Sequence, residues 1–269
     1  MKSIKMSKIL ESRQEIALDI AEKCRNLLKQ KYGAIEVILF GSLRGDSPWH
    51  WDSDLDLAVT GLSSKEIYEA YDKIEEITPD WLKVDLIALE DVSPEVRSRV
   101  LQETPMSNDK YLALKSRIED ELVSIERNLE RLNLVVQQAE IIPEVALVPA
   151  LASYINDFYR GCERISESVA VTLDGRLPQG KNWHQVLLRQ VAEIGGENRP
   201  PVWSGSLLLE LDEYRKFRHL VLHTYNVELK TERVKELASN LESVFQKIQQ
   251  AIAGFNGWLA EQASNNSES

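Results

Sequence analysis

Apolar residues recur at helical spacing over residues 7–32, at Ile9, Ile16, Ile20, Ala21, Cys24, Leu27 and Leu28, and the run stops at Tyr32-Gly33. The pattern then changes. Ile35–Phe40 is short, β-branched and apolar and breaks at Gly41-Ser42, and Leu55–Val59 forms a second run of the same kind after a polar loop. These predict paired strands. Helical spacing returns over 63–77, Leu82–Leu89 predicts a third strand, and Ser93–Leu101 a short helix opening on Ser-Pro-Glu. The order describes a small α+β domain, a mixed sheet with flanking helices, over residues 1–105.

From about residue 108 long amphipathic segments replace the strand patterns, at roughly 109–138, 145–173, 182–195, 205–223 and 229–258. An all-α bundle over 108–258 is expected. Pro143, Pro149, Asp174-Gly175 through Gly180, and Gly195 through Pro201 supply the turns, and 259–269 reads as a polar, frayed tail. No internal repeat or long flexible linker is visible. The boundary is placed at Thr104–Asp109, where Met106 also suits the start of a second reading frame.

A length of 269 residues accommodates two domains, each able to bury its own core. Neither a signal-peptide core nor a run of about 20 apolar residues is present, so a cytoplasmic protein with no membrane partner is expected. Cys24 and Cys162 lie in helical patterns without metal-ligand spacing and read as reduced core thiols. The net charge of −11 and a pI near 5.0 argue against broad capture of nucleic acid, and DNA is not an expected partner. Any RNA contact must be local. The exception to the acidic background is Tyr214-Arg215-Lys216-Phe217-Arg218-His219, which on charge alone reads first as a solvated helix face.

Two constellations carry chemistry. Residues two apart on a strand share a face, so Asp54 and Asp56 point together while Leu55 and Leu57 point into the core. Adjacent carboxylates repel unless a cation lies between them, and Mg²⁺ accepts a few carboxylate oxygens together with substrate phosphate oxygens. Asp85, alternating with its apolar neighbours, could complete a two-metal site from an adjacent strand. Gly41 permits close backbone approach, and Ser42 offers a hydroxyl and an amide to phosphates. Trp49-His50-Trp51, in the loop between, reads as an anchor of packed rings before it reads as a platform for a base.

The second constellation is Arg218-x4-His223-x-Tyr225. Five residues separate Arg218 and His223 by about 140° around a helix, so a partner chain or a bend is needed to join them. Arginine grips phosphate with its planar fork and histidine exchanges a proton near neutral pH, which suits metal-free cleavage of RNA through the ribose 2′-hydroxyl. A helix end whose basic residues complement the macrodipole is the plainer alternative.

The first constellation, over roughly 7–103, resembles the minimal nucleotidyltransferases of the DNA polymerase β-like superfamily. Its loop 43–53 is one residue longer than the usual spacing, and Arg44-Gly45 follows the serine closely. The second, over about 109–255, resembles the HepT-like ribonuclease toxins of the HEPN superfamily, although Leu222 stands where many relatives carry a cation. The resemblance implies a fused toxin-antitoxin protein with Mg²⁺ and ATP as cofactor and substrate. Asp54 and Asp56 would hold Mg²⁺, and Asp85 a second ion or the acceptor's proton. Arg218 and His223 would form the nuclease site at a homodimer interface, acting on RNA such as tRNA, with Tyr225 accepting AMP and so silencing it. A small-molecule nucleotidyltransferase of the aminoglycoside-modifying kind, or a non-catalytic helical interaction module, are the rival readings.

Overall fold

The computed structural model describes residues 2–46, 49, 53–92, 94–102, 107, 109–180, 182–195, 198–223 and 229–267, with backbone alone for 2–8, 95, 222–223 and 267. The chain divides into two compact units, Met1–Met106 and Ser107–Ser269.

In the first unit the helical pattern at the N-terminus becomes α1 (Lys2–Lys31), which presents Ala17, Ile20, Ala21, Cys24 and Leu28 as a buried stripe. Strands β1 (Glu36–Phe40), β2 (Leu55–Thr60) and β3 (Val84–Ala88) form the sheet, in the order β1-β2-β3. β1 runs antiparallel to β2, and β2 parallel to β3. Strand alternation then sorts the side chains. Val37, Leu55, Leu57, Val59 and Leu86 pack under α1 and under Ala70 and Ile74 of α2 (Ser64–Ile77). The other face carries Ala58 with Ile38, Phe40 and Ile87, covered by Leu89 and by Val100 of α3 (Pro94–Val100). α2 starts at a capping box in which Ser63 and Glu66 satisfy each other's backbone amides, worth about 1 kcal/mol.

Among its described residues the second unit has helices and connecting turns and no strand. Its helices are α4 (Lys110–Gln137), α5 (Glu144–Asp174), α6 (Trp183–Val191), α7 (Gly205–His223) and α8 (Thr231–Ser267). α4 opens on Asp109, whose carboxylate accepts from the amides of Tyr111 and Leu112. Pairings of Arg117 with Thr172, Glu121 with Arg164 and Asn128 with Tyr154 run in opposite senses along the two chains, so α4 and α5 are antiparallel. α5 is the central helix, packed by α4, α6, α7 and α8.

Two expectations need correction. Pro149 does not make a turn but lies inside α5, near its start, where the one lost backbone bond would have gone to Val145, an exposed residue in reach of water. The segment read as a polar tail from 259 continues α8 to Ser267, because Phe255, Leu259 and Ala263, spaced by four, keep an apolar stripe buried in the core.

A buried side chain gathers the connection from α6 to α7. Arg199 is fully buried, donates from Nε and Nη2 to the two oxygens of Asp174 at 2.9 Å each, and donates to the carbonyls of Gln190, Val191, Glu193 and Pro200. A Cβ on Gly195 would strike this guanidinium. Such a buried pair is tolerable because every charged atom has a partner. Among the described residues no helix is long and apolar enough to cross a membrane.

Candidate functional sites

In the first unit β1 ends at Phe40 directly opposite Asp56, and the chain turns at once into a single 3-10 turn, Gly41–Leu43. Gly41 has φ +72°, and any side chain there would strike the Asp56 carboxylate. Only glycine lets the turn lie against that group. Asp85 is the register partner of Asp56 across the parallel β2/β3 pair, and Asp54 sits just before β2. The three acids therefore gather at the end of the sheet where the Gly41 turn begins, on the face shared with α3.

The electrostatics of this corner are unbalanced. Asp56 is pushed up to about 7, first by burial and then by the neighbouring charges of Asp54, Asp85 and Asp46. Among the described residues no three His, Cys, Asp or Glu side chains form a metal-ligand cluster by themselves. The donor set nevertheless fits Mg²⁺, which takes only some of its ligands from protein carboxylates and the rest from phosphate and water. Massed carboxylates beside a glycine-lined turn are the arrangement such an ion would relieve.

Other residues hold the corner in place. The Tyr71 hydroxyl accepts from the Leu86 amide at 3.0 Å and donates to the Val84 carbonyl at 3.5 Å, pinning the backbone on both sides of Asp85. The Gly41 amide donates to Asp46 at 2.7 Å, and Asp46 in turn pairs with Arg44. Arg44 also reaches the carbonyls of Val100 and Arg99, tying the turn to the end of α3. Sequence reading passed over Asp46; an acid five residues beyond the glycine was the available signal. Ser42 is buried. Trp49 packs against the sheet's core, as expected of a loop anchor, whereas His50 and Trp51 lie outside the described residues.

In the second unit α7 buries Leu207, Leu211, Tyr214 and Phe217, so the two aromatic residues of the basic cluster are core. Its cations are largely answered locally. Arg215 pairs with Asp212, and Lys216 with Asp212 and Glu213. Arg218, one turn after Tyr214, lies 3.6 Å from Glu163 of α5, an ion pair too long to be a hydrogen bond. Its Nε is buried without a hydrogen-bond partner. Glu163 itself is only 6% exposed, and its other oxygen meets Nδ1 of His184 at 2.5 Å. Trp183 stacks on that imidazole with ring centres 3.8 Å apart.

Neither Glu163 nor His184 was singled out in the sequence. The signal was a glutamate at an inward position of α5, between Tyr159 and Ser166, both buried. Burial and the charge of Glu163 push the Tyr159 hydroxyl far up, so it stays protonated. The buried thiols behave alike: Cys24 is pushed up to about 11 by desolvation. Backbone places His223 at the end of α7 with Arg218; its side chain and all of Tyr225 lie outside what is described.

A family model described as "Polymerase beta, Nucleotidyltransferase" matches residues 22–111, and one described as "HepT-like protein" matches 150–259. Comparison with curated proteins and with solved structures gives no match. With the strand-borne acids in the first matched region and the Arg218-bearing bundle in the second, the chain is a polymerase β-type nucleotidyltransferase domain followed by a HepT-like domain.

Proposed function

We propose that the first domain transfers AMP from ATP to Tyr225 of the second, and that this modification silences a metal-independent endoribonuclease centred on Arg218 and His223. The observation that carries the reading is the meeting of Asp54, Asp56 and Asp85 around the Gly41 turn, in a chain that also holds a HepT-like domain with an Arg-x4-His-x-Tyr motif. Mg²⁺ held by Asp54 and Asp56 would supply charge neutralisation for the triphosphate. The chain's own residues orient and move protons. Gly41 and Ser42 position the phosphates by backbone and hydroxyl contacts. Asp85, exposed at the sheet's end, accepts the proton of the tyrosine hydroxyl. The phenolic oxygen then bonds to the α-phosphorus, and the bond to the bridging oxygen breaks, releasing pyrophosphate.

On the second domain, Arg218 binds the scissile phosphate of an RNA such as tRNA and His223 exchanges a proton with it. The angular separation of about 140° supports a homodimer that brings the motif of one chain to that of its partner; light scattering on a size-exclusion column tests that part. AMP on Tyr225, two residues from His223, adds bulk and a negative charge that repels RNA. Intact mass before and after incubation with ATP and Mg²⁺, followed by peptide mapping, tests the whole. Addition of AMP on Tyr225 is expected. No addition, with none present after expression, overturns the reading in favour of a small-molecule transferase or an inactive module.

A further inference from the structure

Cleavage of RNA through its 2′-hydroxyl moves two protons. One leaves the 2′-oxygen as that oxygen bonds to phosphorus, and the other reaches the 5′-oxygen as its bond to phosphorus breaks, leaving a 2′,3′-cyclic phosphate and a 5′-hydroxyl. The Arg-x4-His motif brings one imidazole per chain, His223. A second imidazole stands at the same arginine, joined to it through a carboxylate.

Glu163 divides its two oxygens between Arg218, at 3.6 Å, and Nδ1 of His184, at 2.5 Å. Nearly buried, this carboxylate fixes the ring by one nitrogen and leaves Nε2 as the one to meet a substrate. Trp183 sets the ring plane by stacking, and His184 keeps 23% of its side chain exposed, so it borders solvent. Arg218 is under-answered: its buried Nε has no hydrogen-bond partner, a donor that an incoming phosphate oxygen would satisfy. Besides His184 on α6 and Arg218 on α7, the Glu163 charge acts on Tyr159 and Cys162 of α5, and Tyr159 also feels Arg215 of α7. Burial holds the phenol and the thiol protonated, so neither competes for a proton near neutral pH. Histidine is the side chain in this group suited to that exchange.

Resting on the ribonuclease reading of Arg218 given above, we propose that His184 is a second proton-transfer residue of the RNA-cleaving site, and that Glu163 is the positioning residue that joins it to Arg218. The site then has an imidazole for each of the two proton movements.

The test uses the full chain, shown by intact mass to carry no AMP, acting on bulk tRNA while new 2′,3′-cyclic phosphate ends are counted. His184→Asn keeps an N–H near the position of Nδ1, and with it the bond to Glu163, but cannot exchange a proton. It is expected to lower cleavage about 10²-fold and to remove one limb of the pH–rate profile, with RNA binding unchanged. His184→Ala is expected to regain rate when free imidazole is added, a response that loss of packing alone would not give. Glu163→Gln is expected to displace the same limb with a smaller loss. If His223→Ala abolishes cleavage while His184→Asn retains both limbs and the full rate, the role of His184 is overturned and the ribonuclease reading stands. If the wild-type chain makes no such ends, or His223→Ala cleaves as well as wild type, both fall.

Discussion

Asp56 and Glu163 are both carboxylates drawn out of water, and their surroundings are opposite. Around Asp56 the neighbours are more acids, Asp54, Asp85 and Asp46, so burial and repulsion act together to raise it. Around Glu163 the neighbours are Arg218 and His184, and its charge is answered on both oxygens. In the proposed scheme the first site takes a cation together with its substrate, whereas the second carries its own positive charge and receives a phosphate without one. On the proposed reading one chain holds two phosphate chemistries with contrasting charge plans, and each can be broken separately.

The largest expected effect is on transfer. Asp54→Ala together with Asp56→Ala should lower AMP addition to Tyr225 by at least about 10³-fold, read by intact mass. In cells the same pair should unmask growth arrest, which adding His223→Ala relieves. Arrest that persists with His223→Ala sinks the nuclease half of the proposal.

Next comes stability of the compensated site. Glu163→Ala leaves Arg218, 16% exposed, without its counter-ion, and should cost about 3 kcal/mol in urea unfolding of the full chain. A cost near zero would mean that the ion pair contributes nothing and that the contrast with Asp56 is misdrawn.

The uncompensated site should respond in the other direction. Asp56 ionises near 3.8 when unfolded but only near 7 in the fold. Below pH 4 both states hold the proton and no penalty exists; between about 4 and 7 the unfolded chain alone releases it, so stability falls as pH rises and the full penalty remains above 7. Asp56→Asn should therefore stabilise the metal-free chain at pH 8 by on the order of 2 kcal/mol and make no difference below pH 4. Added Mg²⁺ should narrow the gap by stabilising only the wild type. Equal stability of the two proteins at pH 8 would contradict the charge plan.

The smallest effect concerns Arg44, which pairs with Asp46 in the acidic corner. Arg44→Ala should cost about 1 kcal/mol in thermal melts, through lost bonds to Asp46 and to the carbonyls of Arg99 and Val100.

How far the sequence carried the fold depended on whether a signal was periodic. The strands around Asp56 and Asp85 and the long helices α4, α5, α7 and α8 all follow from apolar spacing, because burial of one face imposes it. The neighbourhood of Asp56 and Asp85 was also accessible, since two strands that each carry an acid on the same sheet face need only pair in the right register. Glu163 and His184 were not, because a single polar residue on an inward helix face breaks the period without saying what meets it, and its partners lie 21 and 55 residues away. The end of α8 was missed for a related reason. Asn, Ser and Glu dominate the composition after Gln262, while Leu259 and Ala263 keep the stripe in the core.

Arg199 has a consequence for how the helical unit breathes. The described residues between α6 and α7 have little regular structure, yet the Gly195 amide bonds the Arg199 carbonyl, the Val202 amide bonds the Val191 carbonyl, and the guanidinium gathers four carbonyls with Asp174. Opening it exposes a buried charge. Its amides at Gly195 and Val202 should exchange with deuterium as slowly as those of the central helix, so that an irregular connection opens only when the bundle does.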